Sequence, residues 1–290
     1  MSEDVSIDRL KSHVANLCFV RQIDSDPKAL DRAREYIWNQ LVESGCYMVE
    51  QSWRSGKSVF HNAVGEKAAG FHIPPTLVIM AHYDTVDKSP GAGDNASGVA
   101  VMLEASRIMQ TKEIPVRVFF AALSMKELWQ GSSLKGSETL VGHLRTRGIP
   151  VNAAICLDSV GVAGQMKQST PEGLPAAFPP KGDFLAVVGC EASKNVVDGF
   201  ANSHSAAVPN LPAFPLVVPG KGESLPDGLR SDQMTFWAKG YPAVLLTDTG
   251  TYRYASYHAP ADTPDKLNYA FMADVCRSTV AYAMSLSNKT

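Results

Sequence analysis

The sequence predicts an α/β protein, a three-layer sandwich in which a mostly parallel central sheet is flanked by helices. Short, almost wholly apolar segments alternate with helical patterns, and polar residues follow the ends of the apolar segments. We expect buried strands at residues 76–81, 116–123, 153–157, 184–188 and 243–246. In such a sheet, functional residues collect where the strands end.

Three helices are expected in the first part of the chain. Apolar residues at positions 10, 14 and 17 fall on one helical face. A second helix begins at Asp26-Pro27, an N-cap followed by a proline at the first helical position, and it ends at Gly45. A third begins near Ser97, directly after a glycine-rich segment.

The composition is that of an ordinary globular protein, with 45% hydrophobic and 19% charged residues in 290. It changes nowhere in a way that marks a boundary, so we predict a single domain over residues 1–290. Two stretches rich in proline and glycine, residues 163–182 and 208–228, are predicted to be long surface loops.

Charge and cysteine content exclude several classes of protein. The formal net charge is −2 with both signs mixed along the chain, so no positive field favours nucleic acid or an anionic membrane. No secretory signal pattern and no apolar stretch of bilayer length are found. The five cysteines form no CxxC pair. We therefore expect a cytoplasmic protein with reduced thiols and no nucleic-acid or membrane partner; its oligomeric state is left open.

Two polar segments suggest a metal site. Residues 82–85 read His-Tyr-Asp-Thr and leave a predicted strand, while Asp94 precedes a predicted helix. A histidine at a strand end can offer its imidazole to zinc, and a carboxylate two residues further on, here Asp84, can orient the ring. Asp94 could bind the same ion. Each segment alone is a weak signal, because a Gly-Asp-Asn turn usually caps a helix.

Together with two later segments, they resemble the dizinc exopeptidases of peptidase family M28, which include bacterial aminopeptidases and, more distantly, glutaminyl cyclases. The first run reads AHYDTV and then SPGAGDNASGVA. Residues 154–161 read AICLDSVG, and residues 230–264 end in YHAPADTP. The resemblance covers nearly the whole chain and implies a phosphorylase/hydrolase-like α/β sandwich.

The resemblance also implies a set of zinc ligands. His82, Asp94 and Asp158 would bind the first zinc, and Asp94 would bridge to a second zinc that also takes His258. Asp84 would hold the ring of His82. Mixed histidine and carboxylate ligands suit a zinc site that is open for catalysis. Two bridged ions could ionise one water, polarise a scissile carbonyl and stabilise the tetrahedral intermediate.

The sequence departs from the family where a Glu-Glu pair is expected, after the strand at residues 116–123. In the family the first glutamate takes the proton from the attacking water and the second binds the second zinc. Here the segment reads Ser124-Met125-Lys126-Glu127. A gapless register places Ser124 and Met125 on the pair, whereas a small shift places Lys126 and Glu127 there.

The registers differ in their consequences. In the shifted register Glu127 keeps the ligand role and Lys126 replaces the base, which requires a depressed lysine pKa. In the gapless register neither residue can act as the carboxylate base, and a thioether is a poor zinc ligand beside oxygen donors. In a third alternative Glu127 itself is the base, which leaves one metal or a loosely occupied pair.

Three residues are candidates for contact with the substrate. Tyr257 would line the pocket and assist the oxyanion. Asp232 and Gln233 occupy a segment where many relatives carry histidine after Ser-Asp, so Gln233 would bear on specificity.

The resemblance implies a zinc metallo-aminopeptidase, a hydrolase that removes an N-terminal residue from a small peptide or cleaves a similar amide bond with one or two zinc ions. The altered Glu-Glu segment leaves an alternative open. A degenerate or repurposed member would bind an amino-acid-like ligand, or catalyse a different metal-dependent reaction, without peptidase activity. The signatures of zincins, serine hydrolases and P-loop proteins are missing from the sequence.

Overall fold

The computed structural model describes residues 5–68, 75–127, 134–171 and 179–286. Within these ranges the chain forms an eight-stranded mixed sheet. The strands are β1 (Tyr47–Ser55), β2 (Ser58–Lys67), β3 (Thr76–His82), β4 (Arg117–Leu123), β5 (Ala153–Leu157), β6 (Leu185–Cys190), β7 (Ala213–Val218) and β8 (Ala243–Thr247).

The strand order is β1-β2-β4-β3-β5-β8-β6-β7. The four central strands, β4, β3, β5 and β8, are parallel to one another, as the sequence predicts. The outer pairings are mixed, since β1–β2, β2–β4 and β8–β6 are antiparallel. The carboxyl ends of the four parallel strands therefore meet along one edge of the sheet.

Helices cover both faces of the sheet, which confirms the three-layer α/β architecture. Those with residues in the larger core cluster are α1 (Ile7–Leu17), α2 (Pro27–Glu43), α3 (Ser97–Gln110), α5 (Lys194–Ala207) and α7 (Tyr269–Ser285). The smaller cluster on the opposite face includes residues of α4 (Lys135–Thr146) and α6 (Gln233–Ala238). Alternate residues of β3 fall into the two clusters, as expected for a sheet buried on both faces.

The predicted starts of the first helices are confirmed. Asp26 caps α2 by accepting the Lys28 N–H at 3.0 Å, and α3 begins at Ser97. All five cysteines carry free thiols, and all but Cys18 are buried. None of the helices within the described ranges is long and apolar enough to cross a membrane.

One loop prediction is wrong. Residues 208–228 contain β7, which pairs with β6 and includes Pro215. A proline cannot donate to a sheet ladder and is confined to edge strands, and β7 is the last strand of the sheet. In the other predicted loop, residues 163–182, Lys167 and Lys181 form an isolated bridge, and residues 172–178 lie outside the described part.

Candidate metal centre

The polar residues singled out from the sequence meet at the carboxyl ends of the central strands. His82 is the last residue of β3, Asp158 directly follows β5, and Glu127 lies four residues beyond β4. Asp94 enters from the loop before α3, and His258 from the segment between β8 and α7. Segments far apart in the sequence thus contribute to one cluster.

Asp94 lies between the two histidines. Its Oδ1 is 3.0 Å from His82 Nε2, and its Oδ2 is 2.8 Å from His258 Nε2. Asp158 Oδ1 is 3.7 Å from the same nitrogen of His82, and Glu127 Oε1 is 3.7 Å from that of His258. The cluster therefore has two halves, each with one histidine and one carboxylate, which share Asp94.

The buried polar atoms of this cluster fit a metal ion. His82 Nε2 and both carboxylate oxygens of Asp94 are buried, and none of the three has a hydrogen-bond partner of acceptable geometry among the described residues. Ligand atoms of His82, Asp94 and Glu127 lie within 4.8 Å of one another. Buried polar atoms are costly when unpaired. A divalent cation would satisfy these nitrogen and oxygen donors together.

Asp84 orients His82 through its main chain and also fixes the segment after β4. The backbone oxygen of Asp84 is 3.1 Å from His82 Nδ1, and its carboxylate is 3.5 Å from that nitrogen. A proton on Nδ1 can therefore be donated to the carbonyl, which leaves Nε2 free to bind a metal. The carboxylate accepts the backbone N–H groups of Lys126 and Glu127 at 3.2 and 3.0 Å.

The side chains that the structure brings into the cluster are those of Lys126 and Glu127. Met125 is buried in the larger apolar core, and its φ of 58° lies in the left-handed region. The backbone N–H of Ser124 donates to Asn62 Oδ1 at 3.2 Å, and its carbonyl accepts from Gly136. Of the two candidate pairs, Lys126-Glu127 is the one whose side chains reach the cluster.

Lys126 is a cation held among carboxylates. Its Nζ is 2.8 Å from Glu127 Oε1 and 3.5 Å from Asp158 Oδ2. Burial alone would lower the pKa of Lys126, but the carboxylates of Asp158, Asp94 and Glu127 outweigh burial and hold the pKa well above its ordinary value. The depressed pKa that a lysine base requires is therefore not provided by these surroundings.

The same charges act on the carboxylates. Burial opposes the ionisation of Asp158, but Lys126 and His82 outweigh it and lower the pKa of Asp158 to about 2. Burial also opposes the charge on Glu127, whose pKa is nevertheless lowered, chiefly by Lys126. Both groups are therefore anions at neutral pH, in the form that binds metal.

Three residues to which the sequence analysis gave no role support the Asp94 loop. Asp262 accepts the N–H groups of Gly93 and Asp94 at 2.6 and 3.1 Å. Asn95 donates to the Leu157 carbonyl at 2.8 Å, next to Asp158. Asp262 and Asn95 lie within the motif runs quoted above, but they act through backbone groups, which a motif does not reveal.

The third is Arg21, which is wholly buried. It donates to the carbonyls of Tyr83, Pro90 and Gly91 at 2.6, 2.9 and 3.0 Å and so ties the His82 segment to the Asp94 loop. Gly91 has a φ of +65°, and a Cβ there would lie 2.4 Å from Thr85 Cγ2, so no other residue fits without a shift. No sequence signal marked Arg21.

A small pocket lies beside the cluster, and Tyr257 is among the residues that line it. Its lining also includes Lys126, Asp158, Arg230 and Ser231. The Tyr257 ring stacks on that of His258 with 4.0 Å between the centroids. Burial raises the pKa of the Tyr257 hydroxyl far above its ordinary value, so this group remains a hydrogen-bond donor at neutral pH.

Asp232 and Gln233 are completely buried, while their neighbours Arg230 and Ser231 line the pocket. Neither carboxylate oxygen of Asp232 has a hydrogen-bond partner within the described ranges, and burial raises its pKa to about 6. The Gln233 amide donates to the Leu229 carbonyl at 3.0 Å. The placement of the two residues gives no support to direct contact with a substrate.

Residues 62–284, more than three quarters of the chain, match the family model described as Peptidase family M28. The chain belongs to peptidase family M28.

Curated M28 relatives include proteins with and without a described activity. The uncharacterized protein YfbL of Escherichia coli K12 is 32% identical in an alignment of length 264 that covers 85% of this chain and 77% of YfbL. Aminopeptidase YwaD of Bacillus subtilis is 35% identical over 104 residues, 35% of this chain and only 22% of YwaD. The match to YwaD is thus confined to one part of this chain and one part of YwaD.

Solved structures share the fold at low sequence identity. The LapA aminopeptidase of Legionella pneumophila has a TM-score of 0.75 and 19% identity, with 100% of this chain and 73% of LapA covered. A glutaminyl cyclase of Porphyromonas gingivalis has a TM-score of 0.73 and 16% identity, with 97% and 98% covered. The zinc aminopeptidase BSAP of Bacillus subtilis has a TM-score of 0.59 and 24% identity, with 78% and 49% covered. These likenesses show the α/β fold, and M28 membership supports a metal-dependent hydrolase.

Proposed function

We propose that this M28 protein is a zinc-dependent hydrolase of the aminopeptidase type, which removes an N-terminal residue from a small peptide or cleaves a similar amide bond. The observation that carries the proposal is the position of Asp94, whose two unbonded oxygens each face the Nε2 atom of a different histidine. The names of YwaD, LapA and BSAP add support, since all three are described as aminopeptidases.

His82 and Asp158 would hold zinc on one side of Asp94, and His258 and Glu127 on the other. This mixture of imidazole and carboxylate donors suits zinc. When bound, zinc would supply Lewis acidity, which polarises a scissile carbonyl and lowers the pKa of the attacking water. The Asp84 carbonyl would keep the His82 ring in the productive tautomer.

When it is not itself bound to the second zinc, Glu127 is the group best suited to take the proton from the attacking water. The neighbouring carboxylates raise the pKa of Lys126, which disfavours it as a proton acceptor, whereas the pKa of Glu127 is lowered, chiefly by Lys126, and its carboxylate lies at the cluster. Lys126 and Tyr257 both line the pocket beside the cluster. Both would stabilise the negative charge that develops on a carbonyl oxygen during attack.

The test is hydrolysis of a panel of amino-acid p-nitroanilides and dipeptides by zinc-loaded protein. We expect turnover that is lost on dialysis against a chelator and restored by zinc. Asp94→Asn should abolish both zinc binding and turnover, because it removes the shared carboxylate. Asp87→Asn, at an exposed position five residues after His82, is the matched control. Full zinc occupancy in Asp94→Asn would refute the ligand set.

A second candidate function is favoured by Lys126, because a cation takes the place of the carboxylate base. On this alternative the protein binds an amino-acid-like ligand, or catalyses another metal-dependent reaction, without peptidase activity. The structural likeness to a glutaminyl cyclase makes cyclisation of N-terminal glutamine the first reaction to assay. Zinc binding without hydrolysis of any panel member would decide for this alternative.

A further inference from the structure

The ammonium group of Lys126 lies where it contacts both halves of the metal centre. Its Nζ is 2.8 Å from Glu127 Oε1, in the half that contains His258, and 3.5 Å from Asp158 Oδ2, in the half that contains His82. Only 9% of the Lys126 side chain is exposed. This lysine is thus an internal part of the cluster and not a surface residue with a free choice of partners.

Two features of the main chain fix this position. The backbone N–H groups of Lys126 and Glu127 both donate to the Asp84 carboxylate, which follows β3. Met125 just before them is in a left-handed conformation that turns the chain after β4. Because the main chain is already anchored, the ion pairs of Lys126 cost only the entropy of its side chain and none of the backbone.

The two halves differ in which oxygen the lysine uses. In the Glu127 half, the same atom, Oε1, is the one that contacts Lys126 Nζ and faces His258 Nε2. In the Asp158 half, Oδ2 faces Lys126 while Oδ1 faces His82 Nε2. An ion held by His82 can therefore use an oxygen of Asp158 that the ammonium does not occupy, whereas an ion held by His258 competes with the ammonium for Oε1.

Charge balance points the same way. The three carboxylates of Asp94, Glu127 and Asp158 carry three negative charges, which Lys126 and one divalent ion together balance. Against these three charges a second divalent ion would leave an excess of two positive charges, of which the nearby Asp84 carboxylate, 3.5 Å from His82 Nδ1, would offset one. Like charges at such separations interact strongly where water is excluded.

We propose that Lys126 is a built-in cation that takes the place of one of the two metal ions, so that each chain binds one divalent ion tightly, in the half formed by His82, Asp94 and Asp158. The inference rests on the ligand set of the proposed function. A site of this kind differs from that of a two-zinc peptidase, because one of its two cations is the Lys126 ammonium of the protein itself.

The experiment is calorimetric titration of the metal-free, folded protein with zinc chloride, with bound zinc per chain checked by elemental analysis after gel filtration. For the wild type we expect one tight ion and a second at least about 100-fold weaker. Lys126→Met keeps the length of the side chain but removes the charge. In this variant the second ion should bind at least about 10-fold more tightly than in the wild type.

Thermal melting gives a second readout that does not depend on activity. Without metal, Lys126→Met leaves Glu127 and Asp158 without their cation, so its Tm should fall below that of the wild type. With excess zinc, the difference should shrink or reverse, because the second ion replaces the ammonium. If the metal-free Met variant does not fold, Lys126→Gln serves instead, because its amide can still donate to one carboxylate.

The matched control is Lys135→Met. The Lys135 side chain is 41% exposed and pairs with Glu138 at 2.6 Å on α4, so its loss should change neither zinc stoichiometry nor affinity. Two tight zinc ions in the wild type, or identical titrations of wild type and Lys126→Met, would overturn the inference while leaving the ligand set intact. A folded wild type that binds no zinc would overturn the proposed function as well.

Discussion

Asp262 holds the backbone of Asp94 in place, because its Oδ2 accepts the Asp94 N–H at 3.1 Å. Its Oδ1 accepts the neighbouring Gly93 N–H at 2.6 Å and the Tyr254 hydroxyl at 3.0 Å. Asp94 has to face two histidines at once, so its loop must be fixed in position. Asp262 is therefore a positioning residue of the proposed metal centre.

Replacing this acceptor should weaken both the fold and the centre. In Asp262→Asn, an NH2 group that cannot accept a hydrogen bond takes the place of one carboxylate oxygen. We expect zinc affinity to fall about 10- to 100-fold, and the free energy of unfolding to fall by about 1–3 kcal/mol. Calorimetry and urea unfolding measure the two effects.

Tyr254→Phe is the comparison variant, because it removes one donor to Asp262 Oδ1. It should lower the free energy of unfolding by about 1 kcal/mol and leave zinc affinity nearly unchanged. Equal losses of zinc affinity in the Asp262 and Tyr254 variants would contradict a positioning role for Asp262.

Asp84→Asn should disturb the segment that carries Lys126 and Glu127, whereas Asp262→Asn disturbs the Asp94 loop. An amide cannot accept both the Lys126 and Glu127 N–H groups, so the segment after β4 loses its anchor. We expect zinc affinity to fall by about one to two orders of magnitude, as for other residues that support metal ligands. The exposed Asp87→Asn is again the control. Unchanged zinc affinity in Asp84→Asn would show that the anchor is dispensable.

Asp232 should make stability depend on pH. Burial raises its pKa from an ordinary 3.8 to about 6 in the folded protein. Between these values the unfolded chain loses the proton first, so the free energy of unfolding falls as pH rises from about 4 to about 6 and no further above that. The full effect is about 3 kcal/mol.

The measurement is a comparison of wild type with Asp232→Asn in the presence of a chelator. Asparagine is neutral at every pH, so the variant should gain stability relative to the wild type at pH 8 and none at pH 4. The difference curve isolates this carboxyl from other titrating groups. A constant difference across the range would mean that Asp232 titrates normally.

Tyr257→Phe tests the oxyanion role within the proposed reaction. The Tyr257 hydroxyl remains protonated and lines the pocket beside Lys126. Its removal should lower kcat about 100-fold, as for other oxyanion donors, with zinc affinity unchanged. Tyr47→Phe, at a position where 75% of the residue is exposed, should have no effect. A variant with wild-type kcat would exclude this role.

The central strands of the sheet could be predicted because burial on both faces requires unbroken apolar runs in the sequence. Strands such as β3 and β5 are buried on both faces and read as unbroken apolar runs. The edge of the sheet could not be predicted in this way. β1 mixes exposed polar and apolar residues, and β7 contains Pro215, which interrupts a strand pattern although an edge strand tolerates it.

For the site, the motif residues His82, Asp94, Asp158 and His258 were found from sequence and lie together in the structure. The sequence left the placement of Lys126 open between two registers, because gaps cannot be counted in a single sequence. The position of Lys126 depends on the Asp84 carboxylate, which accepts the backbone N–H groups of Lys126 and Glu127. Arg21 was missed for a related reason, since its partners are carbonyl oxygens, which every residue has.

The proposed ligands follow strands that are neighbours in the sheet but distant in the chain. His82 is the last residue of β3, Glu127 and Asp158 come after β4 and β5, and Asp262, 169 residues from Gly93, closes the Asp94 loop. Contacts of such separation form only once the intervening chain is ordered. The centre should thus assemble late in folding, so bound metal would slow hydrogen exchange at the amides of the whole central sheet rather than only at the loops that touch the ion.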